Sequence, residues 1–237
     1  MRRVLVTGAN RGLGLEMVRG FLVRGDFVLA TARHPHQAGE LLALREGEHA
    51  ERLKILSLDL ASEESVFALA AELQTFPGAI DILMNNAGVF PEEGDEKFED
   101  FSLDHLEEAF RVNVLGTIRL TQRLLSLLRK GREARIINLS SGAASLSTKD
   151  HHRQYAYGLS KAALNHFSRG LAAELRGEGI IVVPLSPGWV RTGMGGSRAE
   201  LEAGDAAESV VETVGRLTLG DSGEFLDRKG RTGVYAW

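Results

Sequence analysis

RVLVTGANRGLG, residues Arg3–Gly14, is the stretch whose reading decides the fold. A short apolar run ends at Thr7, glycines stand at Gly8, Gly12 and Gly14, and a helical pattern runs from Gly12 to about Arg24. Glycines between a strand and a helix allow a tight turn, close approach of a ligand and close helix packing. The helix that begins there presents unpaired N–H groups and the positive end of its dipole to an anion. Alone, the stretch also reads as a strand–helix turn with incidental glycines, so its surroundings must decide.

Working outward, further apolar runs follow: FVLAT (27–31), LKILSL (53–58), DILMNN (81–86), ARIINLS (134–140) and IIVVPLS (180–186). Helical patterns separate them; Leu103–Arg129 and Tyr155–Arg176 are the longest, the second stopped by Gly177 and Gly179. Alternation of this kind predicts βαβ units with right-handed crossovers. Runs apolar on both alternating sets predict strands covered on both faces. The expectation is a doubly wound α/β Rossmann fold, a parallel sheet with helices on both faces, in a single domain over residues 1–237. A chain that is 43% hydrophobic suits one such core.

A net charge of -4 with scattered Lys and Arg provides no basic field for nucleic acid. With no cysteine, neither disulfides nor thiolate metal sites can form. Met1-Arg2-Arg3 runs straight into VLVTG, too short for a signal peptide, and no long apolar run follows. The expectation is a cytoplasmic protein without membrane contact.

Ligands of open parallel sheets bind beyond the strand C-termini. The irregular stretches Pro91–Phe101, Gly142–Gln154 and Gly193–Gly204 all follow predicted strands and are the expected walls of a substrate site, the first and last forming a mobile cover. A dinucleotide pyrophosphate suits the glycine turn. NAD sites usually carry an acid at the end of the second strand, but here that strand ends Ala30-Thr31-Ala32-Arg33. Arg33 and Arg11 suit a 2′-phosphate and favour NADP(H) over NAD(H), although both also read as solvated arginines.

In YAYGLSK, helical spacing puts Tyr157 and Lys161 on one face. A phenol titrates near pH 10. An ammonium about 4 Å away, at an effective dielectric of about 20, contributes up to about 4 kcal/mol, or about three pKa units. The expectation is a tyrosine brought toward neutral pH as general acid/base for hydride transfer between a nicotinamide and a carbonyl or alcohol. Tyr155 has Leu159 at its i+4 position, lacks that cation and is assigned to packing.

From TGANRGLG through LDL, NNAG, VNVLG, INLSS and YxxxK to PGWVRT, the chain resembles the short-chain dehydrogenase/reductase family over nearly its whole length. YAYGLSKAALNHFSRGLAAELR and PGWVRTGMGG are similar to the carbonyl-reductase branch. The resemblance implies that Gly8, Asn10, Arg11, Gly12, Leu13, Gly14 and Arg33 bind the cofactor and that Asp59 and Leu60 lie beside the adenine. It further implies that Asn86, Ala87 and Gly88 line the cofactor and that Pro187, Gly188, Val190 and Thr192 hold its nicotinamide end. Asp59 also reads as a solvated charge, and Pro187-Gly188 as an ordinary turn. In the implied catalytic set Ser141 holds the substrate oxygen, Tyr157 moves the proton, Lys161 also binds the nicotinamide ribose, and Asn113 positions a water linking Lys161 to solvent. Ser140 and Ser141 would point to opposite faces of a continued strand, and Ser141 is the second serine of the family pattern. The family often pairs helices such as Leu103–Leu128 and Ala162–Leu175, so a homodimer or homotetramer is implied.

Asp150-His151-His152 lacks the helical spacing of a metal site and reads as a solvated loop; no metal is expected. Two other functions compete. A nucleotide-binding sensor on the same scaffold would need the glycine turn but not the tyrosine. An epimerase or dehydratase with tightly held NAD is disfavoured by Arg33 and by the short region after PGWVRT.

Overall fold

β1 (Arg3–Val6) lies inside a seven-stranded sheet and pairs with β2 (Phe27–Ala32) on one side and β4 (Ile82–Asn85) on the other. The computed structural model describes residues 1–76, 78–92, 97–149 and 153–237. With β3 (Leu53–Ser57), β5 (Arg135–Leu139), β6 (Ile181–Ser186) and β9 (Leu226–Asp227), the strand order is β3-β2-β1-β4-β5-β6-β9, and every pairing is parallel. The chain moves outward from β1 to β3, then returns to add β4 on the other side. That reversal between β1 and β4 is the switch point where a doubly wound sheet opens a crevice.

The period-2 geometry of the strands divides the core into two layers. Val4, Val6, Ile82, Met84, Ile137 and Val183 meet Leu15, Val18, Phe21 and Leu22 of α1 (Gly12–Val23), Leu41 of α2 (Gly39–Glu46), and Val210, Val211 and Val214 of α7 (Ala203–Arg216). Leu5, Leu83, Ile136 and Val182 face the other way. They meet Val66, Leu69 and Leu73 of α3 (Glu63–Gln74), Leu120, Leu124 and Leu127 of α5 (Thr117–Leu128), and Leu171 and Leu175 of α6 (Tyr155–Leu175). The i, i+3, i+4, i+7 spacing of these helical positions is what lets each helix cover the sheet. Each fully buried side chain of this kind contributes about 1.5–3 kcal/mol.

Three departures from the sequence reading bear on the site. The predicted helix Leu103–Arg129 is α4 (Leu103–Ala109), a π-helical segment Phe110–Gly116 and then α5. Asn113 lies inside the widened turn; π segments often mark functional positions. The stretch Gly193–Gly204 is not irregular throughout. A parallel ladder joins β7 (Val190–Arg191) to β8 (Leu201–Glu202), and α7 starts at Ala203. The sequence reading also passed over α7 and β9, which complete one layer and one sheet edge. No described helix is long and apolar enough to cross a membrane.

Candidate active site

At the switch point the ends of β1 and β4 are clasped by Thr7. Its hydroxyl accepts from the amides of Asn86 (3.0 Å) and Ala87 (2.9 Å) and donates to the Met84 carbonyl at 3.3 Å. Asn86 then reaches back, its Nδ2 donating to the carbonyls of Thr7 (2.7 Å) and Gly8 (3.1 Å). The Asn86 amide is therefore spent on shaping the glycine turn. Gly8 turns with φ of 64°, a left-handed conformation that favours glycine. A Cβ on Gly14 would fall against the Gly8 carbonyl oxygen and 2.6 Å from Asn86 Nδ2, so the start of α1 can lie on the turn only without a side chain there. Arg11, the residue before α1, makes no side-chain cap, which leaves the helix N–H groups facing the cleft.

The cleft beyond this turn has a volume of about 590 Å³. Its lining brings together Gly8, Asn10, Arg11, Gly12, Leu13, Gly14, Arg33, Asp59, Leu60, Asn86, Ala87, Gly88, Tyr157, Lys161, Pro187, Gly188, Val190 and Thr192. Glu108, Arg111, Val112 and Met194, none of them singled out in the sequence, also line it. The first three precede Asn113 on α4 and the π segment, and no spacing rule singles them out in the sequence. A second depression of about 200 Å³ shares Asn10, Arg11 and Arg33 with the cleft and adds His34 and Gln37. Arg11 and Arg33, both exposed, thus converge on one concavity although they belong to different βα turns. Asp59 accepts from the Ala61 amide at 2.9 Å, which orients the Asp59–Ala61 wall. A glycine cradle under a helix N-terminus, continuous with a two-arginine depression, fits a dinucleotide bearing an extra phosphate.

At the other end of the cleft, α6 presents Tyr157 half-buried and Lys161 at 4% exposure. The Ser141 hydroxyl accepts from the Ala143 amide at 3.2 Å and lies near enough to the phenol to favour its ionised form. Ser140 lines the cleft, but its hydroxyl is turned away and donates to Asn165 Oδ1 at 2.6 Å. The two adjacent serines thus have different partners. Lys161 Nζ donates to the Leu139 carbonyl at 2.7 Å and lies 5.6 Å from the centroid of the Tyr157 ring.

These positions correct the expected electrostatics. Burial pushes the Tyr157 phenol up to about 12; the nearby Ser141 hydroxyl opposes that rise, and the Glu92 charge adds to it. Burial likewise lowers Lys161 to about 8. Spacing on one helix face brings the ammonium near the ring, but desolvation of the phenol prevails over the expected charge effect. In this environment the phenol is moved away from neutral pH, opposite to the direction expected from Lys161 alone.

Asn113, 1% exposed, does not line the cleft. Its Oδ1 accepts from the Val89 amide at 2.8 Å, while Nδ2 donates to the Val89 carbonyl and to Ser160 Oγ, both at 3.0 Å. Ser160 in turn donates to the Tyr157 carbonyl at 2.8 Å. The amide that was expected to hold a water is engaged first in joining the segment after β4 to α6. Ser141 is also outside the lining and reaches the site through Tyr157. Asp150, His151 and His152 lie outside the described residues, as do parts of the two predicted walls Pro91–Phe101 and Gly142–Gln154. Among the described residues no group of three or more His, Asp or Glu side chains is placed to hold a metal ion.

A doubly wound sheet with a phosphate-type cradle at its switch point and a serine, a tyrosine and a buried lysine at the far end of the same cleft defines a nucleotide-linked redox fold. The chain belongs to the short-chain dehydrogenase family, whose pattern matches residues 2–203. It is similar to the C-signal protein of Myxococcus xanthus, with 38% identity over 65% of this chain and 91% of that one. Among solved structures it resembles carbonyl reductase Sniffer of D. melanogaster, at TM-score 0.92 and 31% identity over 100% of both chains. It also resembles an NADPH-bound carbonyl reductase from chicken fatty liver, at TM-score 0.90 and 31% identity, covering 100% of this chain and 99% of that one.

Proposed function

We propose that the protein is an NADP(H)-dependent carbonyl reductase, working as one NAD(P)-binding catalytic domain over residues 1–237, with Tyr157 as the proton donor. The observation that carries this reading is the junction of Ser141, Tyr157 and Lys161 at one end of a cleft whose other end gathers Arg11 and Arg33. The likeness to an NADPH-bound carbonyl reductase supports it.

Gly8, Asn10, Gly12, Leu13 and Gly14 would hold the pyrophosphate, Arg11 and Arg33 the 2′-phosphate, and Asp59 and Leu60 the adenine side. Asn86, Ala87 and Gly88 would line the middle of the cofactor, and Pro187, Gly188, Val190 and Thr192 its nicotinamide end. When bound, NADPH supplies a hydride. Tyr157 Oη would give its proton to the carbonyl oxygen as the carbonyl carbon is reduced. Ser141 hydrogen-bonds the same oxygen as charge develops there. The phenolate left behind recovers a proton from solvent, and the Lys161 ammonium stabilises it in the meantime. A phenol held near 12 retains its proton at neutral pH, which suits the reductive direction. Asn113 acts by bracing Val89 and Ser160, and Oδ1 keeps a lone pair for a water leading to Lys161. Two copies pairing through α5 and α6 form the expected assembly.

The test is NADPH oxidation across a panel of small aldehydes and ketones, combined with binding titrations of NADPH and NADH. Turnover with tighter NADPH binding is expected. Tighter NADH binding would sink the cofactor assignment. Binding without turnover would instead favour a nucleotide-binding signalling protein, a second reading kept in view by the likeness to C-signal.

A further inference from the structure

α6 is preceded by Gln154, which is in the left-handed conformation (φ 64°) and makes no side-chain cap. The Gly158 amide makes a helical bond back to the Gln154 carbonyl at 2.9 Å; the amides before it belong to the first turn, where helices leave donors unpaired. One of these donors, the Tyr157 N–H, is met by Glu92, whose two carboxylate oxygens lie 3.1 and 3.0 Å away across 65 positions of sequence. Glu92 is only 5% exposed. Carboxylates are seldom buried this fully, and a helix N-terminus is among the few places that favour such a charge. Phe90, two residues earlier, lies edge-on to the Tyr157 ring at 5.0 Å. The segment after β4 therefore grips Tyr157 at its backbone and at its ring.

Among the described residues, Glu92 from the segment after β4 bonds the Tyr157 backbone, Lys161 of α6 lies beside its ring, and Glu108 and Arg111, from the α4 and π-helical stretch packed against α6, line the same cleft. The Ser141–Ala144 turn packed beside them carries no titratable side chain. Lys161 donates to the Leu139 carbonyl at 2.7 Å, whereas the Glu92 carboxylate is bonded directly to the Tyr157 backbone. A negative charge held against the Tyr157 backbone disfavours phenolate, the direction in which Glu92 moves the phenol.

We propose that Glu92 is a positioning residue that fixes Tyr157 and keeps its phenol protonated, biasing the protein toward carbonyl reduction over alcohol oxidation. The proposal rests on Tyr157 being the proton donor. Two substitutions separate its parts. Glu92→Gln retains an acceptor for the Tyr157 amide and removes the charge; Glu92→Ala removes both.

The measurements are the ultraviolet tyrosinate titration of each full-length protein, with Tyr157→Phe as reference, and the pH profile of alcohol oxidation with NADP. In E92Q, tyrosinate formation at Tyr157 and the alkaline rise of oxidation should both move to lower pH by about half a unit or more. In E92A, kcat should fall about tenfold while the KM for NADPH stays unchanged, the pattern of a misplaced proton donor. Gln should rescue kcat but not the wild-type pH profile. Identical titrations of wild type and E92Q overturn the proposal, because a purely structural cap would behave that way. Should E92A fail to fold, the E92Q titration still decides. A shifted titration in a protein that reduces no carbonyl keeps the charge assignment and removes the proposed activity instead.

Discussion

The two ends of the cleft are built from different materials. Around Gly8–Gly14 the shape is made by backbone: a positive-φ glycine, a missing Cβ at Gly14 and the uncapped start of α1, held by Thr7 and Asn86. Around Tyr157 it is made by polar side chains removed from water, among them Lys161, Glu92 and Asn113. The first kind of site uses donors that every helix has and costs little to maintain. The second keeps charge where water cannot reach it, a cost that persists only where it is compensated or used. Changes at the tyrosine end should therefore act on chemistry and stability, and changes at the glycine end on affinity.

The largest expected effect is from Tyr157→Phe, which preserves the ring against Phe90 and removes only the transferable proton. Carbonyl reduction should fall by about 10²-fold or more, the scale of lost general acid catalysis. NADPH binding, measured by fluorescence titration, should hardly change. Near-wild-type turnover in this variant would refute the role of Tyr157 and erase the proposed division between the two ends.

Lys161→Met examines the cost of the tyrosine end. Burial lowers the Lys161 pKa from 10.5 to about 8, so the unfolded chain binds that proton more tightly, and the fold gains stability as pH rises from about 8 toward 10.5. Tyr157 works oppositely: raised from 10.0 to about 12, it makes the fold lose stability over that upper interval. At pH 7 the lysine penalty is present in full. Methionine should raise unfolding stability there by on the order of 2 kcal/mol while abolishing most activity. Urea midpoints at pH 7 and pH 9.5 provide the check, with the gain smaller at the higher pH. A variant less stable than wild type at pH 7 would mean that the bond to Leu139 outweighs desolvation.

At the glycine end, replacing Ala32 with Asp and Arg33 with Ala should reverse the nucleotide preference. A carboxylate repels a 2′-phosphate and accepts from a ribose hydroxyl. The ratio of NADPH to NADH affinity should drop by about tenfold or more; Arg33 is exposed, but Ala32 is buried in the core, so the folding midpoint should fall with the Asp in place. An unchanged ratio would mean that Arg33, despite sharing a depression with Arg11, does not read the phosphate.

This contrast also governs what could be read in the chain. Glycine turns and doubly buried strands are local, so Gly8–Gly14 and the runs that became β1 to β6 were legible in composition and spacing. Arg33 was legible because its place follows from the end of β2. Environments set from afar were not. Glu92 meets Tyr157 across 65 positions, and no spacing rule connects them. The i, i+4 relation of Tyr157 and Lys161 was visible, but the burial that reverses the expected phenol shift comes from packing. The π segment was hidden for the same reason. A Cβ on Gly116 would lie 2.7 Å from that of Leu60, a contact with the β3–α3 connection that α4 alone does not announce.

The smallest effect concerns the segment between Gly188 and α7, expected from sequence to be a loose cover. The structure ties it down through the β7–β8 ladder, through Trp189 Nε1 donating to the Gly195 carbonyl at 2.8 Å, and through Arg191, whose Nε and Nη2 donate to the Ala199 carbonyl at 3.3 and 3.0 Å. Arg191 also pairs with Glu202, and because both are exposed that pair contributes at most about 1 kcal/mol. Arg191→Ala should therefore loosen the ladder without unfolding it. The KM for NADPH should rise about two- to threefold with kcat unchanged, the signature of lost uniform binding. Amide exchange at Leu201, which donates to the Trp189 carbonyl at 3.2 Å, should quicken in the variant and slow again on adding NADPH. If Leu201 exchanges at the same rate in wild type and variant, with and without nucleotide, the ladder is not coupled to the cofactor end, and substrate access must be controlled by another part of the rim.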